Sequence, residues 1–414
     1  MGSSDLHERK YWVYLFLLTL FFVGGYRQAP LYQSNQNTYF LHGLARAGYG
    51  SLGQDWLAQQ TDPTPVFSLL VSLIHSHLGD WGHYLVFKLL VVVYVLSIFF
   101  IACATFPLKR DVLGLLLFFA LFSLFHHPGI FTLAKGIHHL EWFASTIYWL
   151  IGLFTKGVAM QYILHHYLQP CVFGVFIIAS IAFFVHGRAY LAVLLAVLSV
   201  YMHPGYALHA AVLTASYMLV TYRAKNSRRE ALSLGLLSLL TVAPIVVYVL
   251  LSFSPSSSET QSLARSILVD FRIPHHAKVS AWFNIDVCIQ VSIICLGIRL
   301  SLGQSRLFCV LLVSAVFSLG LSVIQFLTAS NALALLFPWR FSTWLLPIST
   351  GLIIAKVSTW TERKFNGAPK KLVSIVVLLF TLVFFWFETK KALLLGDTKS
   401  VKPLFAFVRK NVTR

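Results

Sequence analysis

Residues 84–105 read YLVFKLLVVVYVLSIFFIACAT. One charge interrupts the run, Lys88 near its start. A helix rises about 1.5 Å per residue, so a run of this length crosses the roughly 30 Å hydrocarbon core of a bilayer. Similar runs recur along the chain. They predict about eleven spans, at approximately 11–25, 84–105, 111–126, 169–186, 189–203, 206–222, 231–252, 285–302, 307–327, 342–358 and 371–388. Segment 140–153 is also apolar but contains Glu141, and it reads as a re-entrant or interfacial helix, with a further span as the alternative. The expected fold is all-α, a polytopic integral membrane helical bundle.

Composition points the same way. Of 414 residues, 57% are hydrophobic and 11% charged, against about 25% charged in soluble domains. The 35 Phe, 17 Tyr and 10 Trp exclude disorder. A net charge of +18 would suggest nucleic acid in a soluble chain. Here the positive-inside rule explains much of it, with anionic lipid or a phosphate-bearing substrate for the rest. No nucleic-acid partner is expected. Cys103, Cys171, Cys288, Cys295 and Cys309 form no C-x-x-C pair, which argues against a disulfide framework or a zinc ribbon. The first run, Tyr11 to Gly25, has no small-residue cleavage site and reads as a retained span.

Charge sets an orientation. Arg9, Lys10, Lys109, Arg110, Arg188, the run from Arg223 to Arg229, Arg299, Arg306 and the cations from Lys356 to Lys371 fall on one side, taken as cytoplasmic. This puts the N-terminus inside and the C-terminus outside. Of the histidines, only His7 and His186 fall inside. The largest outer loops are 26–83 and 253–284. Any chemistry is therefore expected on the outer face. Residues 1–389 form the transmembrane domain, and 390–414 a short basic extracytoplasmic tail. A weak repeat aligns the His-Pro-Gly at His127 with that at His203.

The first outer loop is the richest in signals. Tyr39, Phe40, Leu41, Leu44 and Ala45 recur at helical spacing, with Asn35, Gln36, Asn37, His42 and Arg46 on the other face, the pattern of an interfacial amphipathic helix. Gly48, Gly50 and Gly53 break it, and Asp55-Trp56 follows. Asp62 then reads as the N-cap of a second helix, with Pro63 at its first position. A carboxylate at Asp55, between two such helices, can take a proton from an acceptor hydroxyl or hold a divalent cation. It can equally cap a short helix starting at Trp56. Asp62 is the second catalytic candidate, against its capping role. Asp80 reads as a cap.

The words NQNTYFLHGLA and DWLAQQTDPTPVFS, and the tail KPLFAFVRKNVTR, resemble a poorly characterised bacterial family of GT-C-like membrane proteins. The layout also looks like the GT-C class of polyprenyl-phosphate-dependent glycosyltransferases: a short first span, then a long outer loop with two juxtamembrane helices and an acid between. The resemblance implies a GT-C-like bundle in the bacterial inner (plasma) membrane. It implies an enzyme that moves a sugar from a polyprenyl phosphate to an outer-face acceptor with inversion, Asp55 acting as base. It would work among membrane lipids and the cell envelope. The first loop departs from the class in having no Asp-Glu or Asp-x-Asp pair, and a C-terminal extramembrane domain is nearly absent.

Other cations suit the phosphate. Arg340, in LLFPWRFSTW, offers a planar fork at the mouth of a span; its alternative is interfacial snorkelling. Arg272, His275 and His276 in DFRIPHHAKVSAWF could grip a phosphate headgroup or simply anchor the interface. Four His-His pairs occur at 126/127, 138/139, 165/166 and 275/276. Adjacent histidines point apart on a helix, and H-E-x-x-H is missing, so no metal ligands are assigned; the alternative is a composite site of Asp55 with one or two of these histidines from separate loops. No phosphate-cradling glycine loop and no G-x-S-x-G elbow occurs in a suitable context. Two further classes compete with the transferase. One is a lipid or solute transporter or flippase, which predicts ionisable groups at mid-membrane. The other is a non-catalytic GT-C-like assembly subunit. Sugar, acceptor and oligomeric state are not written in the sequence.

Overall fold

The computed structural model describes residues 3–108, 112–126, 141–254, 257–365 and 367–394. The described chain is all-α. Its main helices are α1 (Ser3–Gly25), α2 (Gln36–Arg46), α3 (Pro65–Thr105), α4 (Val112–His126), α5 (Glu141–Thr155), α6 (Val175–Val185) and α7 (Ala189–Met202). After these come α8 (Ala207–Lys225), α9 (Arg228–Ser252), α10 (Ser258–Ser266), α11 (Ile285–Leu300), α12 (Ser305–Thr328), α13 (Ser342–Lys364) and α14 (Gly367–Leu394). Shorter helical segments occupy several of the described links, among them Pro170–Gly174 and Pro274–Ala277. Local chemistry sets several starts. Ser227, Ser257 and Asn284 each accept a hydrogen bond from a backbone N–H three residues on. Ser227 with Glu230 has the S-x-x-E form of a capping box.

The count of about eleven spans is corrected. Among the described residues, four helices are long and apolar enough to cross a membrane: Pro65–Thr105, Arg228–Ser252, Ser305–Thr328 and, with its leading turns, Asn331–Lys364. The reason is length. α4, α6, α7 and α11 are apolar but have 15, 11, 14 and 16 residues, short of the roughly 20 that a span requires. Apolar composition alone did not reveal where each helix stops. The run at 371–388 extends into residues whose side chains are not described.

Helix α3 is two helices in line. Gly79 adopts φ 60° and ψ −156°, a conformation open to glycine, and bends the chain there. The part before it lies in the loop expected between the first two spans, and packs on α2. The expected amphipathic α2 is present, burying Phe40, Leu41 and Leu44. The second helix starts at Pro65 behind Thr64, rather than behind Asp62.

The bundle is built around α13, whose most apolar window is 83% buried against 11% for that of α9. Helices α3, α4 and α11 surround it. The two ends of the bundle differ in chemistry. At one, Gln304 bonds the Ala104 carbonyl, His186 the Phe100 carbonyl and Arg306 the Phe184 carbonyl, so Arg188, Arg299 and Arg306 gather there. At the other, the loop at 157–169 meets residues 203–206, 273–278 and 338–341, and brings His165, His166, His203, His275 and His276.

Lys88 ties α1 to α3. Its ammonium donates to the carbonyls of Val23, Gly24 and Tyr26, at 2.8, 3.2 and 2.7 Å. These are orphan acceptors at a helix C-terminus. Lys88→Met keeps the stem and removes the donor these carbonyls share. We expect a loss of about 2–4 kcal/mol, since charged hydrogen bonds contribute about 1.5–3 kcal/mol and a stranded acceptor adds to that. A thermal melt of the detergent-purified protein measures it; an unchanged midpoint would refute the tie.

Candidate functional site

The site is organised by the start of α13. Residues Pro338–Phe341 form a tight turn after Phe337, which sits at φ 48°. From this turn and the first helical turns, side chains fan out in three directions: Trp339 one way, Arg340 another, Thr343 and Pro347 a third.

Arg340 is held from several sides. Its Nε donates to Gln161 Oε1 at 2.8 Å. Its guanidinium carbon lies 4.5 Å from the centre of the Phe337 ring, in a cation–π contact. Its Nη1 passes close over Gly205, where an added Cβ would come within 2.9 Å of it. His203 Nδ1 and His209 Nε2 beside this cation are buried without partners. The second nitrogen of His209, Nδ1, accepts from the Trp344 indole at 3.1 Å, and its ring stacks on Phe341. Burial, with Arg340 adding to it, pushes the His203 imidazolium down to about 3, so the ring is neutral near pH 7. Arg340 is therefore the permanent charge in a neighbourhood of neutral polar groups.

The loop that presents Gln161 is clasped in place. Gly157 N–H donates to the Gln161 carbonyl at 2.7 Å, and Val158 N–H to Ser342 Oγ at 2.8 Å. Gln290 binds the Lys156 carbonyl, and His276 Nδ1 lies 2.8 Å from the Ala159 carbonyl. Gly157 permits the close approach: a Cβ there would meet Ser342 Oγ at 2.6 Å and the Thr343 backbone N at 2.7 Å. Backbone cannot swing away as a flexible side chain can. Gly157→Ala is expected to cost about 1–3 kcal/mol by overpacking and to loosen Gln161 from Arg340. Denaturation midpoints test this; a fully stable variant would show that the clasp is not tight.

The predicted residues divide. Arg340 and His276 are brought to the same loop, holding Gln161 and Ala159. Arg272 and His275 are exposed and have no bond to that loop. Near them Lys278 pairs with Asp270 at 2.6 Å, which with the Ser266 hydroxyl holds that carboxyl below its usual range. Asp55 Oδ1 accepts from the N–H groups of Leu57 and Ala58, at 2.8 and 3.4 Å. Asp62 is 6% exposed and lies 3.4 Å from Arg46. It also accepts from the Thr64 N–H at 2.9 Å, so it braces the turn before α3. No hydrogen bond or ion pair joins either carboxylate to Arg340.

Helix α2 nevertheless connects the two regions. Tyr39 feels the charge of Arg340. One turn later His42 Nδ1 lies 3.1 Å from the Ala58 carbonyl, in the turn that Asp55 caps.

Several functional candidates were not singled out from sequence. Gln161 gives no signal on its own. Lys156 is a lone cation after an apolar helix, which could have marked it. Asp80 is more than a cap: it accepts from the Tyr32 hydroxyl and lies 3.6 Å from His75. The 165/166 and 275/276 rings do not point apart, with centroids 3.4 and 4.2 Å apart, because neither pair lies within a long regular helix. His127, the 138/139 pair and the tail after 394 lie outside the described residues.

Two hollows flank the α13 start. An apolar groove of about 530 Å³ runs between α11 and α12, bordered by Ile294, Ile298, Val316, Leu319, Trp282 and Trp339. The two indoles pack together, centroids 5.1 Å apart, with their N–H groups buried and unpaired. On the other side is a cleft of about 210 Å³. A divalent cation has no ligand set here: among the described residues no three His, Cys, Asp or Glu are grouped to hold one.

No family model matches the chain, and neither does any curated protein or solved structure. Fold and site define a class in physical terms: an all-α protein with several long apolar helices fit to cross a membrane.

Proposed function

We propose that the protein is an integral membrane glycosyltransferase of GT-C type, moving a sugar from a polyprenyl phosphate to an acceptor on the outer face with inversion. One observation supports this most. Trp339 borders the apolar groove, and the next residue in the chain, outside the groove lining, is the half-buried Arg340, oriented by Gln161. A polyprenyl phosphate is an apolar chain ending in an anion, so an apolar groove and a guanidinium one residue from its border supply a group for each part. Asp55 takes the acceptor hydroxyl proton. The acceptor oxygen bonds the anomeric carbon as the bond to the phosphate oxygen breaks. The released phosphate carries the developing charge, and Arg340 stabilises it. In this reading the end of the bundle rich in imidazoles faces outward from a bacterial inner membrane, with the N-terminus inside and the C-terminus outside.

The test is direct. Full-length protein in lipid nanodiscs receives radiolabelled polyprenyl-phosphate sugars and a fraction of cell-envelope glycans. Label is expected to leave the donor for the acceptor in step with release of the lipid phosphate. Label that stays on every donor supplied would sink the reading.

A second reading has its own observation. Asp55 makes two capping bonds to its own turn, as expected in a non-catalytic assembly subunit.

A further inference from the structure

The 210 Å³ cleft lies on the opposite side of α13's start from the groove. Thr343 and Pro347, one turn apart, face the cleft, whereas Ser342 and Leu345 line the groove. Arg340 lines neither hollow. The cleft is small beside the roughly 300–1,000 Å³ of ordinary ligand sites.

Its polar lining is one-sided. It presents the Lys156 ammonium, the imidazoles of His126, His165 and His166, the Tyr162 phenol and the Thr343 hydroxyl, with no carboxylate among the described residues that line it. Tyr162 stacks on His165, centroids 4.2 Å apart, which fixes that ring. His126 comes from α4 and is 4% exposed. Its Nδ1 lies 2.8 Å from the Tyr94 hydroxyl, while its Nε2 is buried without a partner. A stranded buried polar atom is unfavourable, so a polar guest that reaches it is favoured. Arg27 adds positive potential at His166.

We propose that this cleft binds the phosphate group of a small molecule or a lipid headgroup, at a site separate from Arg340. The cation and the ring N–H groups donate to the phosphate oxygens. Burial, reinforced by neighbouring cations and imidazoles, pushes His165 down to about 3 and His166 to about 4. The rings are thus neutral donors near pH 7, and Lys156 carries charge within the cleft. The site stands whether or not the transferase reading holds.

The experiment uses the detergent-purified full chain. Its melting temperature is followed while inorganic phosphate is titrated at constant ionic strength, with chloride and glycerol as controls. A parallel set compares nanodiscs of phosphatidylglycerol and of phosphatidylcholine. Saturable stabilisation by inorganic phosphate that is weakened at least tenfold in Lys156→Met, and whose Lys156-dependent part persists in Arg340→Gln, supports a soluble phosphate ligand. Stabilisation by phosphatidylglycerol alone, with the same dependence on Lys156, supports a headgroup. If neither stabilises, or if the effect is lost in Arg340→Gln and kept in Lys156→Met, the proposal is overturned. Should Lys156→Met misfold, imidazole NMR signals of the wild type decide. Signals of His126 and His165 must move with phosphate; if they stay still, the proposal fails.

Discussion

Asp55→Asn is expected to lower sugar transfer about 10²- to 10⁴-fold, the usual contribution of a general base, while leaving the fold intact. The substitution separates the capping role seen in the structure from the proposed role as base. Asp55 Oδ1 caps the N–H groups of Leu57 and Ala58. An asparagine keeps a carbonyl oxygen for those bonds but cannot take up a proton. Stability should therefore stay within about 0.5 kcal/mol, as for a benign surface change. Asp55→Ala, by contrast, removes cap and base together and should cost about 0.5–2 kcal/mol. Transfer rates and melting curves of both variants settle it. Full activity in Asp55→Asn would strip Asp55 of a catalytic role. A wild type that is itself inert on every donor would favour the assembly-subunit reading.

Arg340→Lys should lower transfer about 10²- to 10³-fold, as when one preorganised donor to a developing oxyanion is lost. The charge survives, but its geometry does not. Arg340 uses Nε on Gln161, sets its guanidinium carbon over the Phe337 ring and sends Nη1 over Gly205. A lysine has one terminal ammonium and can do one of these at a time. The rate loss should appear in kcat, because the interaction strengthens as the phosphate leaves. A change confined to KM would place Arg340 in ground-state binding of the lipid. Gly205→Ala offers a check by sterics, because the new Cβ would press on the same Nη1.

What could be read in the sequence, and what could not, follows from the range of the forces involved. The helical character of 84–105 and the amphipathic face of 36–46 come from local periodicity, and both helices are present. The span count failed for a local reason too, since apolar composition does not mark where α4, α6, α7 and α11 end. Arg340 was legible because a cation at the mouth of an apolar run is costly unless something accommodates it. Its partner Gln161, 179 residues away, was not, because a lone glutamine in a loop carries no pattern. Asp62 looked like a cap from its neighbour Pro63. Its nearest cation proved to be Arg46, and the helix start passed to Pro65.

By itself the sequence determined that this chain is helical and apolar, with cations and imidazoles sorted along its length. These properties are set by composition and by spacing within a few residues, where backbone hydrogen bonds and hydrophobic periodicity act. Tertiary structure alone decided which helices are long enough to cross and that α13 is the centre. It also placed Gln161, His203 and Gly205 around Arg340, and gathered Lys156 with three imidazoles in one cleft. The Arg340 cluster depends on packing between segments more than a hundred residues apart, and the cleft on the folding together of His126 and residues 156–166 against α13; shape complementarity chooses those neighbours and no local pattern encodes them.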